Sequence, residues 1–265
     1  MGDKMLLELN GISKTFAVPT KKNTCKYERK QVLENLNLYL KAGEFVVLLG
    51  PSGCGKSTLI HMIAGFELPD EGKLLLEGKP ISGPSSKRGL VFQKPVLFPW
   101  LTVAENLAFG LKRNKVPKAQ REELIQKYLH LVQMDGYGDY YGAQLSGGMQ
   151  QRIALARTLI LHPQILLMDE PFSALDPLLR YEMQKLVLSI QQELAQTILM
   201  VTHDIEEALL LADRIYILGS CPTGIVQEIV MDKKNHDTNE FMLSHEFLQY
   251  KNDIMKTFLQ CTHSF

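Results

Sequence analysis

The sequence lacks the features that mark several common protein classes. Its four cysteines include no C-x-x-C pair, and its 29 lysines and arginines balance 29 aspartates and glutamates. The cysteine spacing argues against a disulfide or zinc framework and indicates reduced thiols in a cytosolic protein. The balanced charge gives no electrostatic footprint for nucleic acid, so no nucleic-acid partner is expected.

Long apolar runs are missing as well. No uncharged stretch approaches the ~20 residues that a membrane span needs, and the first residues show no signal-peptide pattern. If the protein works at a membrane, we therefore expect it to reach that membrane through a partner. The 265 residues are enough for one large domain, or for a core with a subdomain.

The most informative stretch is a glycine-rich loop at residues 50–58, GPSGCGKST, which fits the phosphate-loop pattern G-x-x-x-x-G-K-[ST]. The apolar run Phe45–Leu49 predicts a buried strand that leads into the loop, and Thr58–Ala64 predicts the helix that leaves it. The alternative is a glycine-rich turn that binds nothing, which this strand and helix context disfavours. The stretch predicts a nucleoside triphosphate site.

Each residue type in the loop has a chemical reason to be there. Glycines allow successive backbone N–H groups to turn toward one anion, and the start of the helix adds partial positive charge. Lys56 is placed to reach the β- and γ-phosphates, and the Ser57 hydroxyl is placed to ligate Mg²⁺. The residues assigned to the nucleotide are Gly50, Pro51, Ser52, Gly53, Cys54, Gly55, Lys56, Ser57 and Thr58.

Around the loop, strand and helix patterns alternate, which predicts a mostly parallel sheet with helices on its faces. A helical pattern from about Val103 to Ile160, charged and amphipathic at Lys118–Val132, predicts a helical subdomain at about residues 95–160. Strands are predicted at Leu6–Leu9, Val32–Leu38, Phe45–Leu49, Gly72–Gly78, Gly89–Gln93, Ile165–Met168, Thr197–Val201, Arg214–Leu218 and Gly224–Val230. Further helices are predicted at Pro177–Leu194, from Ile205, and at Asn239–Phe258 in a short C-terminal tail from about residue 231.

The polar, basic stretch Pro19–Lys30 predicts a solvated loop. Phe16 lies just before it, at the end of a predicted strand. Spacing alone favours simple edge packing for this aromatic side chain.

Two carboxylates end an apolar strand. Asp169 and Glu170 directly follow the run Ile165–Met168. Because a buried ionised carboxylate is costly unless it is paired or on a metal, we assign Asp169 to the Mg²⁺ shell. Glu170 is then placed as a general base or as the group that orients the water. The alternative is a strand that ends at the surface with two solvated acids, and the phosphate loop in the same chain disfavours it.

A serine followed by two glycines, Ser146-Gly147-Gly148, opens an amphipathic helix. This arrangement predicts a second anion cradle, this time without a lysine. A plain helix cap is the alternative, but two glycines cost helix stability and need a reason.

With three further motifs, these stretches complete a family pattern. Residues 145–150, LSGGMQ, resemble the signature sequence of ATP-binding-cassette (ABC) ATPases, and Gln93 matches the glutamine loop of that family. Residues 173–176, SALD, resemble the loop after the acidic pair, and residues 201–204, VTHD, resemble the switch-histidine segment. The motifs follow the family's order across roughly residues 5–230, which is nearly the whole chain.

The resemblance implies an α/β fold, a P-loop NTPase core of the ABC ATPase type with an antiparallel β subdomain and an inserted helical subdomain. It implies one ABC ATPase domain over residues 1–265, with no C-terminal regulatory domain. It also implies a head-to-tail homodimer, in which ATP bound at the phosphate loop of one subunit is covered by the signature sequence of the other.

The same resemblance implies individual roles at the site. Phe16 would stack on adenine, His203 would contact the γ-phosphate and the attacking water, and Gln93 would sense Mg²⁺ and that water. The remaining residues implied at the nucleotide are Ser146, Gly147, Gly148, Gln150 and Asp176.

Two segments narrow the resemblance. Residues 93–103, QKPVLFPWLTV, and residues 219–226, GSCPTGIV, resemble the ATPases that serve nitrate, sulfonate and taurine uptake. This implies an ATP-hydrolysing importer subunit at the cytoplasmic face of the membrane, bound to a separate permease and served indirectly by a solute-binding protein. The uncharged segment Val96–Leu101 contains the only tryptophan, and we predict that it is the permease dock. The alternative is that Trp100 packs into the helical subdomain.

Three alternative functions are less favoured by the sequence. A soluble ABC ATPase acting on DNA or ribosomes would carry a long coiled coil between its motifs or a second cassette, and neither is present. A non-hydrolysing scaffold usually loses the base or the histidine, whereas Glu170 and His203 are both present. A small GTPase would carry an N-K-x-D guanine motif, which does not occur.

Overall fold

The computed structural model describes residues 5–20, 23–231 and 238–262. Its strands are β1 (Met5–Thr20), β2 (Asn23–Lys41), β3 (Phe45–Leu49), β4 (Glu71–Leu76), β5 (Lys79–Pro80), β6 (Arg88–Val91), β7 (Ile165–Asp169), β8 (Thr197–Thr202), β9 (Arg214–Leu218) and β10 (Ile225–Val230). Its α-helices are α1 (Lys56–Ala64), α2 (Val103–Arg113), α3 (Lys118–Leu131), α4 (Gly147–Leu159), α5 (Pro177–Leu194), α6 (Ile205–Leu211), α7 (Thr238–Met242) and α8 (His245–Thr262). No helix in these described ranges is long and apolar enough to cross a membrane.

The chain forms two compact units. The first consists of Met1–Pro84 together with Leu199–Phe265, and the second of Ser85–Ile198. The segment predicted to be helical, residues 95–160, falls within the second unit and contains α2, α3, α4 and a short 3-10 turn at Gly142–Gln144.

The first unit contains an antiparallel sheet with the strand order β2-β1-β4-β5. Leu9 of β1 lies opposite Leu38 on one side and Leu74 on the other, and all three side chains are buried. Alternate residues of these strands are apolar, so one face of the sheet packs into the core while the other faces solvent.

The first unit also contains the strand that leads into the phosphate loop. All five residues of β3 are apolar and buried, as expected for a strand covered on both faces. β3 lies between β8 and β9 in the sheet and is parallel to β9, and β10 pairs with β9 in the antiparallel sense. The loop therefore leaves the carboxyl end of an inner strand, which is where open α/β sheets bind ligands.

The second unit is built around helix α4 and the parallel strand pair β6–β7. The apolar face of α4 includes Ile153, Ala156 and Leu159, all of which are buried. Helix α2 begins with a capping box: the Thr102 hydroxyl accepts from the Glu105 amide, and the Glu105 carboxylate accepts from the Thr102 amide.

The predicted loop at Pro19–Lys30 is wrong over its described residues. Pro19 pairs with Tyr27 and Phe16 with Lys30, so β1 and β2 continue as an antiparallel ribbon. Residues 27–31 are exposed. An exposed ribbon accepts polar side chains, because its backbone hydrogen bonds do not depend on side-chain polarity. Residues 21 and 22 lie outside the described part of the chain.

The prediction of one continuous terminal helix at Asn239–Phe258 is also wrong. This segment is divided into α7 and α8 at Leu243–Ser244. The Ser244 hydroxyl accepts a hydrogen bond from the Phe247 amide at 3.1 Å, and this cap starts the second helix.

Candidate nucleotide-binding and hydrolysis site

The loop at residues 50–58 connects β3 to α1, as predicted. Gly53 and Gly55 have φ values of +78° and +103°, in the left-handed region that favours glycine. A Cβ at Gly53 would meet no atom within 4 Å, so space remains open above the loop. Helix α1 has no side-chain cap and no acidic residue in its first turn. Its amide groups and its dipole therefore suit an anion such as a phosphate.

Lys56 lies under the loop. Its ammonium group is buried and donates to the carbonyl oxygens of Gly50 at 2.8 Å and Pro51 at 2.9 Å. These contacts hold one positive charge at the place where the loop turns. Ser57, the predicted Mg²⁺ ligand next to it, is exposed, and Thr58 is half-buried.

Cys54, in the middle of the loop, is buried, and burial raises the pKa of its thiol. The thiol therefore stays neutral at physiological pH and adds no negative charge beside a phosphate. The Cys54 carbonyl accepts a hydrogen bond from the hydroxyl of Thr223.

Thr223 belongs to the turn between β9 and β10, and no sequence pattern indicates its role at the loop. It is fully buried. Its amide donates to the Val32 carbonyl at 2.9 Å, and its own carbonyl accepts from the Glu34 amide at 3.0 Å. The turn is therefore bonded to β2 on one side and to the phosphate loop on the other.

Phe16 lies within β1 rather than at the end of a strand, which corrects the predicted position. Its ring is half-buried, and the Lys14 ammonium lies 5.3 Å from the ring centroid. A ring with a cation on it can still offer its remaining surface to a base.

His203 follows β8 and is exposed. The turn that carries it is held by its neighbours. The Thr202 hydroxyl donates to the Glu207 carboxylate at 2.7 Å and accepts from the Asp204 amide at 3.1 Å. Asp204 in turn caps α6. This turn therefore gives the imidazole a defined point of attachment.

The acidic pair lies at the carboxyl end of β7 in the second unit. Asp169 is the last residue of the strand, and both Asp169 and Glu170 are half-buried. Glu170 has a φ of +44°, which is uncommon for a residue other than glycine. Such a conformation persists only where the surrounding structure holds it.

Gln93 is connected to this pair through Ser173. The Gln93 side-chain amide donates to the Ser173 hydroxyl at 3.1 Å, and that hydroxyl donates to the Glu170 carbonyl at 2.9 Å. The glutamine loop, the segment after the acidic pair and the acidic pair itself are thus brought together.

The signature residues open helix α4. The Ser146 hydroxyl caps the helix by accepting from the Met149 amide at 3.3 Å, while Ser146 and Gly147 are exposed. A Cβ at Gly147 would meet nothing within 4 Å, so this helix start also has open space above it. Gly148, the second signature glycine, is buried.

Two of the implied nucleotide residues are engaged within their own chain. The side-chain Nε2 of Gln150 donates to the carbonyl oxygens of Gly142 at 3.0 Å and Leu145 at 3.2 Å. The Asp176 carboxylate caps α5 by accepting from the amides of Leu178 and Leu179, each at 3.1 Å. These contacts give both side chains a structural role.

These features define a class of protein. A phosphate loop between a buried strand and a helix, an acidic pair at the end of a second strand, and a serine-glycine-glycine helix start are the parts of an ATP-binding cassette. The family model described as ABC transporter matches residues 33–173. The chain belongs to the ABC transporter family, as its motifs predict, and it is an ABC ATPase.

Two similar proteins illustrate the relationship. A taurine import ATP-binding protein of Pelagibacter ubique is 48% identical over 205 residues, covering 77% of each chain. A nitrate import ATP-binding protein of Synechocystis is 41% identical over 228 residues, covering 84% of this chain and 86% of that protein.

Among solved structures, a dimeric ATP-binding cassette in a post-hydrolysis state bound to ADP and Pi superposes with a TM-score of 0.73. It is 30% identical, and the match covers 85% of this chain and 98% of that one. The predicted fold, an ABC ATPase core with antiparallel β and helical parts, is confirmed.

Proposed function

We propose that this ABC ATPase is the ATP-hydrolysing subunit of an importer. It powers the uptake of a small solute of the nitrate, sulfonate or taurine kind through a separate permease. It works at the cytoplasmic face of the membrane, attached through that permease, and a solute-binding protein delivers the solute. The proposal is supported by similarity to import ATP-binding proteins for taurine and nitrate.

The site residues divide the hydrolysis reaction among them. The backbone N–H groups of residues 52–58 and the Lys56 ammonium bind the phosphates, and Phe16 stacks on the base. Glu170 accepts the proton of the water that attacks the γ-phosphorus, while His203 orients that water and the phosphate. The bond to the bridging oxygen breaks, and the products are ADP and phosphate.

The donor set suits Mg²⁺. Ser57, Gln93 and Asp169 offer a hydroxyl, an amide oxygen and a carboxylate, and Mg²⁺ at nucleotide sites takes one or two such protein oxygens together with phosphate oxygens. When bound, the ion would neutralise charge that develops on the phosphates.

We further propose that two copies assemble head to tail. The helix start at Ser146–Gly148 offers exposed groups and open space, but it carries no lysine of its own. In a head-to-tail dimer it would cover the ATP held by the phosphate loop of the partner copy. This arrangement would explain why one chain carries two anion-binding sites, the phosphate loop and the Ser146–Gly148 helix start.

The segment Val96–Leu101 is the proposed permease dock, and the exposure of Trp100 is the observation that carries this assignment. The side chain of Trp100 is 70% exposed, so it does not pack into the core of the second unit. The ring centroids of Trp100 and Phe98 are 5.6 Å apart, and those of Phe98 and Phe109 are 4.5 Å apart. Such an aromatic group on the surface is typical of an interface anchor.

The backbone beneath this aromatic group is firmly held. The buried side chain of Asn106 accepts from the Phe98 amide at 2.9 Å, and its two Nδ2 protons are shared among the carbonyl oxygens of Phe98, Leu101 and Thr102. A cleft of about 270 Å³ lies beside it, lined by Phe98, Phe109 and Arg157 among others. A preorganised loop next to a cleft binds a partner without a large ordering cost.

The proposed function is tested by Trp100→Ala in the complex with the permease. Truncating an interface anchor costs ~2 kcal/mol or more of binding. The variant should therefore keep its melting temperature and ATP affinity, yet lose co-purification with the permease and solute-stimulated hydrolysis. Nitrate, a sulfonate and taurine are the solutes to assay.

Tyr27→Ala is the matched control, because Tyr27 is an aromatic residue of similar exposure, 67%, on β2. It should leave co-purification unchanged. If Trp100→Ala still co-purifies, or if its melting temperature collapses, the dock is misplaced. If the wild-type chain hydrolyses ATP but no permease stimulates it, a soluble ABC ATPase is the better description.

A further inference from the structure

Gln151 lies on α4, three residues C-terminal to Gly148 and directly after the signature sequence, residues 145–150. Its side chain is 2% exposed, and none of the sequence motifs assigns it a role. It faces the two loops that carry the proposed hydrolytic residues.

The side-chain amide of Gln151 contacts both loops. Its Nε2 donates to the Pro171 carbonyl at 3.1 Å and approaches the Phe92 carbonyl at 3.5 Å. Pro171 directly follows Glu170, and Phe92 directly precedes Gln93. One carboxamide therefore spans the backbones next to the proposed base and next to the glutamine loop.

Two successive carbonyl groups, those of Glu170 and Pro171, are thereby held. Ser173 donates its hydroxyl to the Glu170 carbonyl, and Gln151 donates to the carbonyl of the next residue. Glu170 sits at a φ of +44°, a conformation that the surroundings must enforce. Gln151 provides part of that enforcement from helix α4, which Ser146 caps.

The carboxamide oxygen of Gln151, Oε1, argues against a role in packing alone. Within the described part of the chain, Oε1 of Gln151 is buried and has no hydrogen-bond partner. A buried acceptor without a partner reduces stability, so a position selected only for packing would favour an apolar side chain. What a glutamine supplies here, and an apolar side chain would not, is the pair of contacts made by its Nε2.

We propose that Gln151 is a positioning residue for ATP hydrolysis. It holds the Glu170 turn and the start of the glutamine loop against the signature helix, and so sets the place of the base and of Gln93. It touches no substrate. This inference rests on the proposed roles of Glu170 and Gln93.

The test is Gln151→Met, which keeps the length of the side chain and removes its donors. Misplacement of a reacting group by about 1 Å can reduce the rate about 10²-fold, so kcat for ATP should fall by about 10- to 100-fold. KM for ATP should remain near the wild-type value, because the phosphate loop is unchanged. Steady-state hydrolysis by the isolated full-length subunit measures both quantities.

Gln196→Met is a closely matched control. Gln196 is 7% exposed, and its Nε2 also donates to two carbonyl oxygens, those of Pro163 and Thr197, each at 3.1 Å. The control removes the same chemical group and the same number of bonds away from the motif residues. It should lower the melting temperature about as much as Gln151→Met does, while kcat stays unchanged.

A second variant keeps the test decisive if methionine is not accommodated. Gln151→Asn retains the carboxamide but withdraws it by one methylene, and it should lower kcat at constant KM. Wild-type kcat in either folded variant overturns the proposal, and so does an equal fall of kcat in Gln196→Met. Failure of both Gln151 variants to fold would make Gln151 a folding residue and would also overturn it.

The failure of this inference can be separated from a failure of the proposed roles. If Glu170→Gln is inactive while Gln151→Met is fully active, only the Gln151 inference is wrong. If Glu170→Gln is itself active, the assignment of the base is wrong.

Discussion

Glu170 has a backbone conformation that natural sequences usually give to glycine or asparagine. A φ of +44° on a glutamate costs of the order of 1–3 kcal/mol. The Ser173 hydroxyl and the buried neighbour Pro171 hold the turn in place. Strain retained at a carboxylate that follows the proposed Mg²⁺ ligand is consistent with a functional rather than a structural role.

The first prediction concerns the carboxylate itself. Glu170→Gln keeps the shape and hydrogen bonding of the side chain but removes its basic lone pair. Loss of a general base reduces the rate by ~10²–10⁴-fold, so ATP should bind while hydrolysis falls by that factor. ATP-dependent dimers should then accumulate, which size-exclusion chromatography with ATP can measure.

Glu193→Gln makes the same charge change on an exposed residue of α5 and serves as the control. It should leave both hydrolysis and dimerisation unchanged. Near wild-type turnover of Glu170→Gln in the presence of the permease would refute the assignment of the base.

At the level of single residues, the sequence predicts what depends on spacing. Lys56, Ser57 and Asp169 follow from short local patterns, because a phosphate loop and a strand-end acid are built from neighbouring residues. Thr223 and Gln151 do not follow from any such pattern. Their partners, Cys54, Phe92 and Pro171, are distant in the chain, and only the fold brings them together.

At the level of elements, segments with a clear apolar or amphipathic pattern are predicted well, whereas a polar strand pair and a break between two helices are not. The bounds of β3, α5 and β9 agree with the predicted ranges, because β3 and β9 are continuously buried strands and α5 repeats its buried apolar residues at helical spacing. The β1–β2 ribbon replaces a predicted loop, and the break between α7 and α8 divides a predicted continuous helix. The ribbon is held by backbone pairing, which its polar side chains do not indicate. The break between the helices has a local pattern, because a serine such as Ser244 can mark the start of a helix.

The turn between β9 and β10 supports a second prediction, which concerns Thr223. Thr223→Val keeps the shape of the side chain but removes the hydroxyl that donates to the Cys54 carbonyl. A buried carbonyl that loses its donor costs about 1–3 kcal/mol. Because that carbonyl belongs to the phosphate loop, ATP affinity should fall by about 5- to 150-fold if the whole cost falls on the binding conformation of the loop. Nucleotide titration monitored by calorimetry measures the change.

Thr223→Ser is the control, since it restores the hydroxyl and loses only a methyl group. It should recover most of the ATP affinity. A Thr223→Val variant that binds ATP as tightly as the wild type would mean that the turn stabilises the fold without shaping the loop.

At the level of the whole molecule, the question is whether a complete site needs two copies of the chain. Ser146 caps its own helix α4, yet it remains exposed with open space at the neighbouring Gly147. A group used only as a cap needs no such space. We expect the ATP of a partner copy to occupy it.

The last prediction tests this arrangement by complementation. Ser146→Arg fills the helix start with a bulky side chain and should abolish hydrolysis, while the phosphate loop of the same chain still binds ATP. Lys56→Ala should abolish hydrolysis through weakened phosphate binding, because it removes the buried ammonium of the loop. A mixed dimer joins the intact phosphate loop of the first variant to the intact signature of the second. Mixing the two inactive proteins should therefore produce hydrolysis that neither has alone.

The control separates the loss of a cap from the loss of a shared site. Ser146→Arg also removes an N-cap, which costs about 1 kcal/mol of stability. Ser244→Ala removes the comparable cap of α8 and should lower stability without lowering hydrolysis. If Ser146→Arg alone binds ATP as poorly as Lys56→Ala does, the signature serves the nucleotide of its own chain. A composite site would then be the wrong description, because only a site shared between copies leaves ATP binding to the single chain intact.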